Sequence, residues 1–144
     1  HCLVASPELL QGRSIKHFSD LKDYPSISLG TQKANYIWHF CNTRTGEMMD
    51  VPYQPRIKSN DLAGVYYAVM DGLGIADLPF LTVESEIRKG TLIHILPDWK
   101  SNIGTLQLVY VSRKGQRLVV EKLIETLIDE LRRLPESRDG YLST

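Results

Sequence analysis

An α/β fold is predicted for this chain of 144 residues by three observations. The segment 59–79, Ser-Asn-Asp-Leu-Ala-Gly-Val-Tyr-Tyr-Ala-Val-Met-Asp-Gly-Leu-Gly-Ile-Ala-Asp-Leu-Pro, reads as a capped helix, a tight turn and a buried strand. Before Pro97, short β-rich runs alternate with helix-patterned runs, the order that places helices against a partly parallel sheet. A hydrophobic content of 42% with 24% charged residues suits one ordinary globular core.

In order, the chain opens with a strand at 2–5, a short helix after Pro7 and a helical turn at 18–22. A strand at 26–29 runs into Gly30-Thr31-Gln32. Runs 36–41 and 47–51 form a hairpin around Thr43-Arg44-Thr45-Gly46, whose residues favour a turn. A strand at 56–59 feeds the helix, which Asn60 or Asp61 can cap by accepting bonds from its free N–H groups. Leu62, Val65, Tyr66 and Val69 recur at i, i+3, i+4 and i+7 on one face. Gly72 and Gly74 allow the exit into strand 75–78, which Pro79 ends.

A helical turn at 81–88 leads to a strand at 92–96, and residues 100–104 read as a turn. Leu106, Leu108 and Tyr110 alternate with Gln107, Val109 and Val111 as a strand covered on both faces. A long helix over 117–133 follows, with Val120, Ile124, Leu127, Ile128 and Leu131 on one side and Glu121, Lys122, Glu125, Asp129 and Arg132 on the other. Pro135 closes it, and 136–144 is a polar tail.

The unit 59–79 is similar to the stretch "vndxxalxxaaxaGlGIaxLP" of LysR-type transcriptional regulators, and other segments match that family in order. Leu3-Val4-Ala5-Ser6-Pro7 resembles its "lvASP" crossover strand, followed by Leu9-Leu10 and Asp20-Leu21. Trp38-x-Phe40, Gly90-x-Leu92 with Leu96-Pro97-Asp98-Trp99, and Leu108-Val109-Tyr110-x-Ser112-Arg113 fall where the family has "WxF", "GxLvxvLpdW" and "lvyPsr". Val111 stands where the family often has Pro, a departure at a strand end.

The resemblance implies an effector-binding domain of type II periplasmic-binding-protein-like fold. Residues 1–105 would be one near-complete lobe with the crossover strand at its start. Residues 106–135 would be a strand and helix returning to the other lobe. Ala5 and Thr105 are then the candidate hinges. The family implies a homo-dimer or tetramer, and DNA contact only through an N-terminal helix-turn-helix outside this sequence.

The 17 basic and 17 acidic residues cancel, and no basic stripe suited to phosphate neutralisation is present, so DNA binding is not expected of this chain alone. Arg113-Lys114-x-x-Arg117 reads as a solvated turn. There is no apolar run of the roughly 20 residues a membrane span requires, and no signal-peptide pattern. With Cys2 and Cys41 as the only cysteines, a cytoplasmic, reduced protein is expected, with both thiols structural.

Ligands of α/β sheets sit at the carboxyl ends of strands, where following helices aim N–H groups into the crevice. Gly30-Thr31-Gln32 and Ser59-Asn60-Asp61 meet that description, and Ser6 joins them from the crossover strand. Thr31 and Gln32 offer a hydroxyl and an amide, so a small metabolite, with a carboxylate as one candidate, is the expected effector. Simple helix capping by Thr31, Asn60 and Asp61 stays open beside that reading.

Other chemistry finds no apparatus. Gly72-x-Gly74-x-x-Asp77 follows a helix and precedes a strand, the reverse of a dinucleotide fingerprint. His39 and Cys41 share a strand face without further ligands at zinc spacing, so no metal or cofactor is expected. Ser6 lacks a nucleophile elbow. A solute-binding protein of the same fold is the alternative reading and would need a signal sequence or lipid anchor. An enzyme on that scaffold would need a catalytic acid or a cofactor-anchoring cysteine in the cleft.

Overall fold

Two sheets carry the architecture of the first unit of the computed structural model, which describes residues 1–30, 35–101 and 118–133. The chain divides into the units His1–Gly104 and Thr105–Thr144. The strands are β1 (Cys2–Ala5), β2 (Ser26–Leu29), β3 (Ile37–Asn42), β4 (Met48–Pro52), β5 (Pro55–Ser59), β6 (Ile75–Leu78), β7 (Ile93–Ile95) and β8 (Trp99–Ser101). The helices are α1 (Pro7–Leu10), α2 (Leu62–Met70), α3 (Phe80–Lys89) and α4 (Leu118–Arg133), with a 3-10 helix at Phe18–Asp23.

The larger sheet has the order β5-β2-β6-β1-β7, and the smaller has β4-β3-β8. β2 pairs in parallel with both β5 and β6, while β1 runs antiparallel to β6 and β7. Strand side chains alternate between the sheet's faces, so each strand feeds two cores. Cys2, Val4, Ile27, Ala76 and Leu78 pack with Val65 and Val69 of α2 and Val83 of α3. Leu3, Ala5, Ile75 and Ile95 pack instead with Trp38 and Phe40 of β3. Helices thus cover one face and the smaller sheet covers the other. Each fully buried aliphatic or aromatic side chain contributes roughly 1.5–3 kcal/mol relative to exposure, which makes β1, buried along its whole length, a central strut.

The capped-helix reading of 59–79 holds, with Asp61 as the cap: its carboxylate accepts from Ala63 N at 3.2 Å and Gly64 N at 2.9 Å. Gly72 leaves the helix at φ 72°, a left-handed conformation that glycine adopts without steric cost. Gly74 is required for a different reason. A Cβ there would lie 2.8 Å from the Pro25 carbonyl oxygen and 2.9 Å from Ile27 Cγ1. That close approach lets Ile75 N donate to the Pro25 carbonyl at 2.8 Å and start β6 beside β2.

The hairpin around Thr43–Gly46 forms as expected, with Asn42 Oδ1 accepting from Arg44 N and Thr45 N. The 3-10 helix is held at its start by Asp20, whose carboxylate accepts from His17 N at 3.0 Å and Lys16 N at 3.1 Å.

Residues 100 and 101 depart from the expected turn. They belong to β8, which pairs antiparallel with β3 through Phe40↔Ser101 and Asn42↔Trp99. Three residues are too few to show an alternation, so this strand exists through its tertiary partner. The expected strand beginning at Leu106, the turn residues 102–104 and the tail 136–144 lie outside the described residues. In the second unit α4 is amphipathic. Val119, Leu123, Leu127 and Ile128 are exposed, and Ile124 and Leu131 are half-buried.

Gly74→Ala is expected to destabilise the protein by about 1–3 kcal/mol through overpacking against β2. Urea denaturation should show a lower midpoint with an unchanged slope; an unchanged midpoint would show that the β2–β6 junction can relax.

Candidate functional site at the strand-end edge

The parallel pairings send the carboxyl ends of β2, β5 and β6 to one edge of the larger sheet. Leu29 lies level with Ser59, and Gly30 N donates to the Ser59 carbonyl at 2.7 Å. Ile27 lies level with Ala76, so the end of β6 at Leu78 reaches the same edge. Because β1 is antiparallel, with Cys2 opposite Leu78, His1 arrives at this edge too. α2 and α3 both begin here, so the edge collects backbone donors from two helix starts.

Those donors are not equally free. Asp61 occupies two of the first N–H groups of α2, and Ser59 Oγ accepts from Asp61 N at 3.0 Å. Ser59 and Asp61 therefore do capping work whatever else they do. Gly30 stands at φ 97° with its carbonyl accepting from Ser28 Oγ at 3.2 Å. α3 starts after Pro79 without a side-chain cap.

Beside this edge runs a polar line that sequence reasoning missed. Continuing the β2–β6 register by one residue brings Ser28 level with Asp77, and both face the smaller sheet. The Tyr53 hydroxyl donates to Ser28 Oγ at 3.2 Å. Ser101 Oγ donates to Asp77 Oδ1, and His1 Nδ1 lies 3.3 Å from Asp77 Oδ2. Burial pushes the Tyr53 phenol above its ordinary pKa, with the Asp77 charge adding to the shift, so the hydroxyl stays protonated and able to donate. One signal was visible beforehand: Asp77 is a carboxylate inside the apolar run Ile75-Ala-Asp-Leu78, where an acid needs partners.

Of the expected site residues, Gly30, Ser59, Asn60 and Asp61 are brought to one edge, and Asn60 is exposed there. Thr31, Gln32 and the hinge candidate Thr105 lie outside the described residues. Ser6 and Ala5 are elsewhere. β1 enters at the strand-end edge and leaves at the opposite one, so Ser6 sits where β6 begins, buried, with its Oγ accepting from Leu9 N at 3.3 Å as the cap of α1. Ala5 is fully buried opposite Ile93. The reason is strand direction: a strand antiparallel to its neighbours carries its first residue, not its last, to their carboxyl ends.

His94 of β7 is half-buried, with its Nε2 atom shut off from solvent. Its partner Val4 faces the helices, its ring lies 6.4 Å from that of Phe80, and among the described residues Nε2 finds no hydrogen-bond partner. Burial holds its pKa below the ordinary 6.5. Cys2 is buried and Cys41 half-buried.

The family model described as the LysR substrate binding domain matches residues 1–132. The chain belongs to this LysR family. It is 31% identical over 107 residues to the HTH-type transcriptional regulator PtxR of Pseudomonas aeruginosa, covering 74% of this chain and 34% of that protein. The regulatory domain of AphB from Vibrio vulnificus superposes with a TM-score of 0.58 at 32% identity, over 70% of this chain and 50% of that one. The regulatory domain of CrgA from Neisseria meningitidis, at 21% identity, shares the fold with a TM-score of 0.72 over 90% of this chain and 63% of that one. This LysR domain thus spans about a third of the length of PtxR and half of the AphB regulatory domain. The α/β, periplasmic-binding-protein-like fold read from the sequence is the fold of these regulatory domains.

Two outcomes test the local physics. Asp61→Ala should lower stability by about 1 kcal/mol, and Asp61→Asn by less, since the amide oxygen can still cap α2; thermal unfolding of both variants checks the order. For His94 the folded pKa is depressed, so between it and about 6.5 the unfolded chain binds more protons and stability rises with pH. Its contribution is complete above about pH 6.5 and declines as pH falls below that value. His94→Leu should flatten the difference in urea midpoint between pH 7.5 and pH 5.5, and an undiminished difference would assign it to other groups.

Proposed function

We propose that this chain is the effector-sensing part of a bacterial LysR-type transcriptional regulator, non-catalytic and cytoplasmic. The observation that carries the reading is the family match along residues 1–132, and a relative named as an HTH-type transcriptional regulator supports it. Residues 1–105 serve as one lobe, and 106–135 return to a second lobe supplied by the rest of the regulator. A small metabolite, with a carboxylate as one candidate, closes the two lobes over the strand-end edge. Gly30, Thr31, Gln32, Ser59, Asn60 and Asp61 contribute from this side.

The hinges proposed are the chain at Ala5, where β1 ends opposite Ile93, and at Thr105. Ser6 is left as the cap of α1. DNA contact belongs to a helix-turn-helix elsewhere in the protein, and self-association to a homo-dimer or tetramer transmits the change. The effector acts through its difference in affinity for the open and closed arrangements, since equal affinity would shift nothing. No observation favours the solute-binding alternative. Among the described residues no helix is long and apolar enough to cross a membrane.

The test uses the intact regulator. A metabolite panel scored by thermal shift should yield an effector that changes the footprint on promoter DNA. Thr31→Val should then weaken that effector by about 1–3 kcal/mol in calorimetry while leaving effector-free DNA binding intact. The isolated chain should show no sequence-dependent DNA binding by fluorescence anisotropy. Specific binding by the isolated chain would remove the sensing role as its main function, and unchanged affinity in Thr31→Val would return that residue to capping.

A further inference from the structure

A cavity of about 680 Å³ opens between the smaller sheet and the starting edge of β2, within the size range of small-molecule sites. None of Gly30, Ser59, Asn60 or Asp61 lines it. Its floor is aromatic. Trp38 and Tyr53 stack with ring centroids 3.9 Å apart and planes 8° from parallel, and Tyr36 meets Tyr53 edge-on at 5.7 Å. Its polar lining includes Lys22, Asn35 and Gln54, all exposed.

The charge around this floor is one-sided. Lys22 lines the cavity, and Lys58 holds its ammonium 4.7 Å from the centroid of the Tyr36 ring. Neither lysine is ion-paired with a carboxylate among the described residues. Among the described residues no Asp or Glu lines the cavity. The side-chain amides of Asn35 and Gln54 form no hydrogen bond among the described residues, so donors are available beside the cation.

We infer that this cavity is a second small-molecule site, separate from the strand-end edge, and that it takes a flat aromatic anion such as an arenecarboxylate. The ring lies against the aromatic floor, where offset or edge-on contact adds to simple burial. The carboxylate meets Lys22 and the neighbouring amides, and the Lys58 ammonium adds positive potential beside Tyr36. A ligand there bridges β3 and β4 of the smaller sheet to β2 of the larger one, so its occupancy stiffens the junction between the two sheets.

Calorimetric titration of the intact protein with 4-nitrobenzoate and its neutral amide, 4-nitrobenzamide, tests the assignment. The acid should bind in the micromolar to low millimolar range, with the amide about three- to fivefold weaker, the scale of one partly exposed charge contact. Lys22→Glu, at an exposed position, should weaken the acid about tenfold and leave the amide unchanged, since it turns an attraction into a repulsion. Tyr36→Leu should weaken both. Asp61→Ala, at the strand-end edge, should bind both as the wild type does, which keeps this result apart from any failure of the sensing reading. Equal affinity for acid and amide, equal affinity of wild type and Lys22→Glu, loss of binding in Asp61→Ala, or no binding up to about 10 mM would each overturn the inference.

Discussion

The parallel pairing of β2 with both β5 and β6 is the constraint on which the rest of the first unit depends. Three strands pointing the same way must end at the same edge, and the turns and helices that follow them must begin there. α2 and α3 start where they do for that reason, and Gly30 and Ser59 share a hydrogen bond for the same reason. β1 completes the arrangement by running the other way, which brings the first residue of the chain to the edge and buries Ala5 at the far side.

The two faces of that sheet have different jobs. Toward the helices the strands present Cys2, Val4, Ile27, Ala76 and Leu78, an apolar surface interrupted by the ring of His94. Toward the smaller sheet they present Leu3, Ile75 and Ile95, but also Ser26, Ser28 and Asp77. Polar groups inside a covered face must find partners, and here they do so across layers. Ser26 Oγ donates to the Gln54 carbonyl, Ser28 meets the Tyr53 hydroxyl, and Asp77 meets Ser101. Ser101 of β8 and the link 53–54 that follows β4 are therefore held by directional bonds, in addition to the packing of Trp38 and Phe40, and the placement of the smaller sheet is more specific than apolar packing alone would dictate.

The parts of this fold legible in the sequence were those whose signals are local. The 59–79 unit combined a cap, a helical stripe, two glycines and a proline within one run, and each agreed with the others. The hairpin at Thr43–Gly46 had comparable redundancy. What escaped were features set by distant partners. β8 is three residues whose strand character comes from β3. The direction of β1 has no signature in Leu3-Val4-Ala5, so the position of Ser6 at the start of β6 could not be read in advance. Asp77 could be seen as an acid in an apolar run, but its partners His1 and Ser101 are 76 and 24 residues away. Of the candidate site, the turns at Gly30 and Ser59–Asp61 were readable and the polar line beside them was not.

Asp77 touches residue 1 and residue 101 through one carboxylate. One side chain thereby joins segments a hundred positions apart in the sequence. Holding both at once restricts the chain that runs between them, and because loop-closure entropy grows only slowly with length, that restriction depends little on how many residues lie between the two contacts.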